Sequence, residues 1–161
     1  MNVLADTGQY LTFRVGQEEF GTDVQNVKEI LEVLPITKVP RTPDYMKGVI
    51  NVRGKVIPVI DMRLKLGMPV SERTEDTCII VMEIGEEAAV GALVDKVQEV
   101  IVLESERIEP PPKIGAGIDT DFLQGIGAKD ESFIMILDAQ KVIVEESLDQ
   151  FPKPELNPIN N

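Results

Sequence analysis

The stretch Lys47-Gly-Val-Ile-Asn-Val-Arg-Gly-Lys-Val-Ile-Pro-Val-Ile-Asp61 decides the fold class of this chain. Two apolar runs flank the segment 53–55, Arg-Gly-Lys, which predicts a β-hairpin with a basic tip. Because Pro58 has no N–H to donate to a sheet ladder, we expect its strand at a sheet edge or barrel rim, within reach of partners. Asp61 is a typical N-cap and predicts a short helix that ends at Gly67.

The same pattern occurs twice along the chain. The turn-centred segment 15–21 recurs as segment 84–91, and the match continues without a gap from the second glycine of each segment. Farther along, an aromatic residue, a glycine, an apolar strand residue and a capping aspartate recur: Tyr45, Gly48, Ile57 and Asp61 meet Phe122, Gly125, Ile134 and Asp138. Chance similarity between two hairpins is the alternative to an internal duplication.

Two halves of similar pattern predict an all-β protein that contains two small β-barrels. We place these halves at residues 9–70 and 77–148, within one domain that covers 9–148. Because a half of about 70 residues buries only ~60% of its unfolded surface, we expect the barrels to share a core. Residues 1–8 are expected to form a flexible lead, and the proline-containing residues 149–161 a tail without structure.

Nine segments are apolar or alternating and are bounded by turn residues, which is typical of strands. They are Gln9–Val15, Glu18–Asp23, Lys47–Val52, Lys55–Asp61, Thr77–Glu83, Ala88–Val94, Glu99–Leu103, Phe122–Ala128 and Ser132–Asp138. A second short helix is expected to follow Asp138 and to run to about Leu148. Four further residues have the spacing of an apolar helical face although Pro35 limits a helix there, so their segment stays ambiguous: Val27, Ile30, Leu31 and Leu34.

The charge of the chain is strongly uneven. Its net charge is −12, which opposes binding to nucleic acid and to anionic lipid. The segment Lys38–Leu66, however, holds seven basic and two acidic residues, so it carries +5 while the remainder carries −17. This asymmetry predicts that the basic segment orients a partner protein.

Several kinds of reactive site are missing from the sequence. The chain has no histidine, which removes the usual general base and the commonest zinc ligand. Asp119 and Asp121 are imaginable as a carboxylate pair, but they lie in a glycine-rich loop that predicts solvated side chains. The run Gly48 to Val56 fails as a phosphate loop in both spacing and hydroxyl. We therefore expect no enzymatic activity, no cofactor and no metal site.

The cysteine content and the termini indicate the compartment. The single cysteine, Cys78, lies in the apolar run Cys-Ile-Ile-Val-Met and is expected to be a buried core thiol. A lone cysteine fits a reducing compartment. Because the N-terminus has no signal-peptide pattern and no apolar run is long enough to span a bilayer, we expect a cytoplasmic protein without direct membrane insertion.

Several segments closely resemble the CheW family of chemotaxis coupling proteins. They include Lys28-Glu-Ile, Ile36-Thr-Lys-Val-Pro40 and Tyr45-Met-Lys-Gly-Val-Ile-Asn-Val-Arg-Gly-Lys-Val-Ile-Pro-Val-Ile-Asp-Met-Arg63. Asp95-Lys-Val-Gln-Glu-Val100, Ile108-Glu-Pro-Pro-Pro and Phe122-Leu-Gln-Gly-Ile-Gly are similar as well, so the resemblance covers about residues 9 to 148. It implies two intertwined five-stranded SH3-like β-barrels with a hydrophobic core between them and short helices.

The resemblance also implies partners and contact residues. It implies a scaffold that links methyl-accepting chemoreceptors to the regulatory domain of the histidine kinase CheA, a domain that itself resembles CheW. Positions that match the family's receptor contacts are Val27, Glu29, Gly48 and Arg53. Core packing is the alternative role for Val27, a backbone constraint for Gly48 and a solvated turn tip for Arg53. Kinase-contacting residues stay unassigned.

The family resemblance leaves the pathway open. The first interpretation is a chemotaxis coupling protein that is recruited to receptor arrays at the inner face of the membrane. The alternative is a paralogue that couples a kinase to receptors in a non-flagellar pathway such as surface motility. An unsuspected carboxylate enzyme and a small-barrel nucleic-acid binder are further alternatives, and the negative charge of the chain opposes the last.

Overall fold

A computed structural model describes residues 7–85, 88–111 and 122–141 of the chain. These residues form an all-β structure with short helices. The strands are β1 Thr7–Val15, β2 Glu18–Asp23, β3 Val27–Glu32, β4 Met46–Val52, β5 Lys55–Asp61, β6 Cys78–Glu83, β7 Ala89–Val94, β8 Lys96–Glu104, β9 Ile108–Glu109, β10 Leu123–Lys129 and β11 Ser132–Leu137. The α-helix α1 covers Met62–Lys65, and single 3-10 turns cover Val24–Asn26 and Ser105–Arg107.

All nine predicted strands are present, and their ends lie close to the predicted ends. The ambiguous segment forms a strand, β3, in which half-buried and exposed residues alternate from Val27 to Glu32. This period of two belongs to a sheet with one face packed. The short strand β9 was not predicted, and β1 begins at Thr7, within the expected N-terminal lead.

The strands form two sheets, and each sheet contains strands from both halves of the chain. The five-stranded barrel has the order β3-β6-β7-β5-β4, and the six-stranded barrel has the order β8-β1-β2-β11-β10-β9. The implied intertwined fold is therefore confirmed, although β9 adds a sixth strand to one barrel. Neither barrel is built from one half of the chain alone. For example, β6 and β7 from the second half complete the barrel that begins with β3.

Equivalent contacts recur in the two halves, as the sequence repeat predicts. The parallel pair β5 and β7 places Val59 opposite Gly91, and the parallel pair β11 and β2 places Ile136 opposite Gly21. The Asp61 N–H donates to the Tyr45 carbonyl at 2.7 Å, and the Asp138 N–H donates to the Phe122 carbonyl at 2.9 Å. The two halves thus exchange strands in the same way, so equivalent contacts occur in both barrels.

The core has three parts. A cluster that includes Phe13, Val15, Ile80 and Val90 draws buried side chains from both sheets and lies between the barrels. Ile79 belongs to a separate cluster inside the five-stranded barrel, and further buried residues on β1, β8 and β11 fill the six-stranded barrel. On β6, successive residues therefore point alternately into the barrel and into the shared core, as the strand period requires. The expected shared core is present.

The caps of the short helices follow the predictions where the structure describes them. The Asp61 side chain accepts from the N–H groups of Arg63, at 2.9 Å, and Leu64, at 3.3 Å. Gly67 follows α1 with a φ of 78°, which suits the residue after a helix C-cap. Asp138 accepts from the Lys141 N–H at 3.2 Å, and the predicted course of its helix to Leu148 lies outside the described residues.

Two expectations need correction. The strand that contains Pro58 is not an edge strand, because β5 lies between β7 and β4. Its parallel pairing with β7 covers only Val59 to Asp61, so the proline sits just before that ladder and needs no N–H there. Cys78 is half-buried rather than buried, because it begins β6 at the margin of the shared core.

Candidate partner-binding surfaces

The β4–β5 turn places Arg53 against β3, the strand at the other end of the five-stranded sheet. Arg53 and Gly54 have φ angles of 51° and 88°, which fit a two-residue turn with both central residues left-handed. The Gly54 N–H donates to Asn51 Oδ1 at 2.8 Å, so the turn is held from within. The Arg53 guanidinium forms an ion pair with the Glu29 carboxylate on β3.

This ion pair spans the two end strands of the five-stranded sheet. β3 and β4 are the first and last strands of the sheet order, so a contact between β3 and the β4–β5 turn closes the barrel. We call this surface the Glu29–Arg53 seam. Spacing along the sequence could not reveal the pair, because the two residues are 24 positions apart and meet only when the sheet curves.

The seam presents a positive charge to solvent. The Arg53 side chain is 70% exposed, whereas that of Glu29 is 24% exposed. The hydrogen bond from Arg53 to Glu29, together with the charge of Glu29, raises the pKa of Arg53 above its usual value, so the guanidinium stays charged. An exposed ion pair contributes little to stability, but a guanidinium with free donors suits binding of a partner's acceptor groups.

Val27 and Gly48 lie inside the structure rather than on the seam surface. Val27 begins β3, pairs with Met82 and packs against the shared core, although it is not fully buried. Gly48 is buried and has a φ of 144°, and a Cβ atom there would lie 2.1 Å from the carbonyl oxygen of Thr37. The structure therefore brings Glu29 and Arg53 together and gives Gly48 a backbone role.

Two exposed apolar residues at corresponding positions of the two barrels carried no signal in the sequence. Ile30 follows Glu29 on β3 and is 45% exposed, and the corresponding residue of β8, Val100, is also exposed. Val27 and Val97, near the starts of the two strands, both pack against the shared core. Because Ile30 and Val100 lie on different barrels, they form no single apolar patch. The internal repeat could have linked Ile30 with Val100.

The six-stranded barrel closes with a different ion pair. Lys129, at the β10–β11 turn, contacts Glu99 on β8 at 2.6 Å and Glu19 on β2 at 3.1 Å. The hydrogen bond to Glu99 is the main reason that the pKa of Lys129 is raised. Two glutamates around one largely covered lysine leave this turn net negative. Among the described ion pairs that close a barrel, the exposed cation is therefore Arg53 of the five-stranded barrel, whereas Lys129 of the six-stranded barrel is largely covered.

A second exposed surface lies on the six-stranded barrel. Phe133 of β11 is 68% exposed and lines a cavity of about 290 Å³ together with Ile126, Pro110 and Arg107. We call this surface the Phe133 groove. It borders β9, which ends the sheet order and leaves one backbone edge without a neighbouring strand in the described residues. An aromatic side chain at a sheet edge is suited to docking another protein.

The CheW-like domain family model matches residues 9–147 of the chain. The chain belongs to the CheW family. The Chemotaxis protein CheW of Klebsiella aerogenes is 36% identical over 140 residues, which cover 87% of this chain and 84% of that protein. The Chemotaxis protein CheW of Bacillus subtilis is 36% identical over 138 residues, with coverage of 85% and 87%.

A solved structure has the same fold. The scaffolding protein TtCheW from Thermoanaerobacter tengcongensis superposes with a TM-score of 0.79 and 36% identity, and the match covers 87% of this chain and 94% of that one. Membership of the CheW family makes the chain a coupling adaptor of chemotaxis. The family is a non-catalytic adaptor family.

The described residues bear on two further kinds of feature, metal-binding groups and membrane-spanning helices. Within residues 7–85, 88–111 and 122–141, no group of three or more His, Cys, Asp or Glu residues is placed to hold a metal ion. None of the helices in those ranges has the length and apolar character needed to cross a membrane. The aspartates considered as a carboxylate pair, Asp119 and Asp121, lie outside the described residues.

Proposed function

We propose that this chain links the cytoplasmic tip of methyl-accepting chemoreceptors to the regulatory domain of a CheA-type histidine kinase. The observation that carries the proposal is the exposed guanidinium of Arg53, held by Glu29 across the barrel seam. An adaptor needs two separate surfaces that can be occupied together. The Glu29–Arg53 seam and the Phe133 groove lie on different barrels and meet that requirement.

The receptor is proposed to bind at the Glu29–Arg53 seam. Arg53 supplies an exposed guanidinium at the edge of the barrel, and arginine is enriched in binding hot spots. Val27 supports β3 from the core side, and Gly48 lets the chain at Thr37 approach β4 closely. Of the four residues matched to receptor contacts, Glu29 and Arg53 are therefore proposed to touch the receptor, while Val27 and Gly48 position them.

The kinase regulatory domain is proposed to bind at the Phe133 groove. Because that domain is expected to resemble this chain, barrel-to-barrel contact through an apolar edge is a suitable mode. The groove offers an exposed aromatic ring and the open edge of β9. Each interface needs to bury only ~600–800 Å² per partner, since repeated contacts in an array supply the remaining affinity.

The proposal includes location and chemistry. The chain is proposed to act in the cytoplasm, to reach the inner face of the membrane through its receptor partner and to catalyse no reaction. Since the relatives described above are named as chemotaxis proteins, the chemotaxis pathway is favoured over a non-flagellar paralogue. The two pathways would use the same chemistry and differ in the receptors that are bound.

The experiment combines the chain with a CheA-type kinase and receptor fragments, and it follows kinase autophosphorylation. Addition of the chain should stimulate phosphorylation above the level of the kinase and receptor alone. Arg53→Glu should weaken receptor binding about tenfold and leave kinase binding unchanged, because it puts two carboxylates at the seam. Phe133→Asp should weaken kinase binding and leave receptor binding unchanged.

Matched controls come from the internal repeat. Lys129→Glu disturbs the ion pair that closes the other barrel, and Val56→Asp changes the exposed residue that corresponds to Phe133. Neither control should lower the affinity for receptor or kinase more than about twofold. No stimulation by the wild-type chain would contradict the coupling function. If Arg53→Glu and Lys129→Glu weakened receptor binding equally, Arg53 would act by closing its barrel and not by touching the receptor.

A further inference from the structure

Four cations of the basic segment Lys38–Leu66 take part in no ion pair and no cation–π contact among the described residues: Lys38, Arg41, Lys47 and Lys55. Within Lys38–Leu66, Arg53 pairs with Glu29, Arg63 pairs with Asp95, and Lys65 lies over the Tyr45 ring with its Nζ 4.1 Å from the ring centroid. Lys38, Arg41 and Lys47 instead line one pocket of about 330 Å³ in the connection from β3 to β4. We call it the β3–β4 pocket.

The β3–β4 pocket is held in shape by the backbone on both sides. Thr37 and Val49 exchange two backbone hydrogen bonds of 2.9 and 2.8 Å, which fix the start of the connection to β4. The Thr42 hydroxyl donates to the Val39 carbonyl at 2.8 Å, and the Met46 N–H donates to the Pro43 carbonyl at 2.9 Å. A preformed site loses less conformational entropy when a ligand binds.

The charge of the β3–β4 pocket is not balanced. Three of its lining residues are cations and one, Asp44, is an anion. Among the described residues, no ion pair involves Lys38, Arg41 or Lys47, in contrast to the paired Arg53, Arg63 and Lys129. Three unpaired cations around one polar concave surface attract an anionic ligand, in a protein whose net charge of −12 repels anions elsewhere.

The backbone of the β3–β4 pocket indicates which anion fits. Phosphate sites are commonly built from clustered backbone N–H groups or helix N-termini. Here Pro43 has no N–H, and the Met46 N–H is already bonded to the Pro43 carbonyl. Two of the lining positions, Pro43 and Met46, therefore offer no free N–H, and the charge of the pocket comes from three separate side chains, an arrangement that suits several carboxylates along a peptide.

We propose that the β3–β4 pocket binds the carboxylates of an acidic segment of a partner protein. The positive charge comes from Lys38, Arg41 and Lys47. Their side chains are long and flexible, so the charged groups can adjust to the spacing of the carboxylates. This site shares no residue with the Glu29–Arg53 seam or the Phe133 groove. It is correct or wrong independently of the proposed coupling function.

The test titrates the full chain with hexaglutamate and follows backbone amide signals by NMR at low ionic strength. Signals of residues 38–47 should shift in a saturable way. Lys38→Gln, Arg41→Asn and Lys47→Gln should each weaken the affinity at least about threefold, and the triple variant at least about thirtyfold. Asn is used at position 41 because the φ there is 62°, a conformation that Asn tolerates.

The matched control is Lys55→Gln, since Lys55 is exposed and belongs to the same basic segment but does not line the pocket. Its affinity for hexaglutamate should stay within about twofold of wild type. Inorganic phosphate should bind more weakly than hexaglutamate at the same residues. The proposal is overturned if hexaglutamate causes no localised shift, if phosphate binds more tightly than the peptide, or if Lys55→Gln weakens binding as much as the pocket variants.

Discussion

Gly48 is a residue at which one added methyl group should be costly. Its φ is 144°, and a Cβ atom would lie 2.1 Å from the Thr37 carbonyl oxygen. Gly48→Ala should therefore lower the free energy of unfolding by about 3 kcal/mol or more in urea denaturation. Gly54→Ala is the control, because its φ is 88° with no atom within 4 Å of the added Cβ, and about 1 kcal/mol is expected. Similar losses for both would contradict the close approach.

Cys78 should react slowly although it is only half-buried. Burial is the main cause that raises the pKa of its thiol above the ordinary value of 9.0, and the charge of Asp76 adds to it, while a backbone hydrogen bond from Val97 opposes it. Because the thiolate is the reactive form, alkylation by iodoacetamide should be slow at neutral pH and should rise with a midpoint above pH 9.0. The same chain in urea is the control, and a lower midpoint in the folded chain would contradict this expectation.

An ion pair connects a secondary-structure element of one barrel to an element of the other. Arg63 on α1 contacts Asp95 at 2.6 Å, and Asp95 also accepts from the N–H of Gly16 in the β1–β2 turn at 2.7 Å. Asp95 thus joins the helix of the five-stranded barrel to a hairpin of the six-stranded barrel. Asp95→Ala should lower the free energy of unfolding by about 2 kcal/mol and Arg63→Ala by about 1 kcal/mol.

The control for this pair is Arg14→Ala. Arg14 donates to the Gln17 carbonyl at 2.9 Å within its own turn, so it joins no separate elements. Its removal should change the free energy of unfolding by no more than about 0.5 kcal/mol in the same denaturation assay. If Arg14→Ala and Asp95→Ala had equal effects, the contact between the barrels would have no special role in stability.

The elements that the sequence predicted well are those with local signals. The β4–β5 hairpin follows from a turn flanked by apolar runs, and the start of α1 follows from the capping side chain of Asp61. The strand β3 was ambiguous because its apolar residues satisfy both a helical and a strand period. The sequence also did not predict that Cys78 is half-buried, because the burial of a residue at the end of a strand depends on which distant parts of the chain cover it.

For the whole molecule, the exchange of strands predicts that neither half folds alone. The fragment 1–75 contains β1 to β5 but lacks β11 and β6, which pair with β2 and β3. The fragment 76–161 lacks β1 and β2, which pair with β8 and β11. Each fragment should be largely unfolded by NMR and circular dichroism, and an equimolar mixture should recover the native spectrum. A fragment that gave dispersed native-like signals without its partner would contradict the intertwined core.

The exchange itself was beyond the sequence pattern alone. The local signals of β2 and β7 are the same whether each pairs with its own half or with the other, so the residues predicted two barrels, and only the family resemblance implied their intertwining. The Glu29–Arg53 pair depends on the curvature of a complete sheet, and the β3–β4 pocket depends on where Thr37 meets Val49. These features arise from contacts between distant parts of the chain, which composition and spacing do not encode.

The strand order has a consequence for synthesis on the ribosome. All five strands of the five-stranded barrel lie within residues 27–94, so that barrel can be complete while the rest of the chain is still being translated. The six-stranded barrel needs β2 from the beginning of the chain and β11 from its end. During synthesis, β2 is therefore translated well before β11 and stays without that neighbour until the last strand of its sheet emerges.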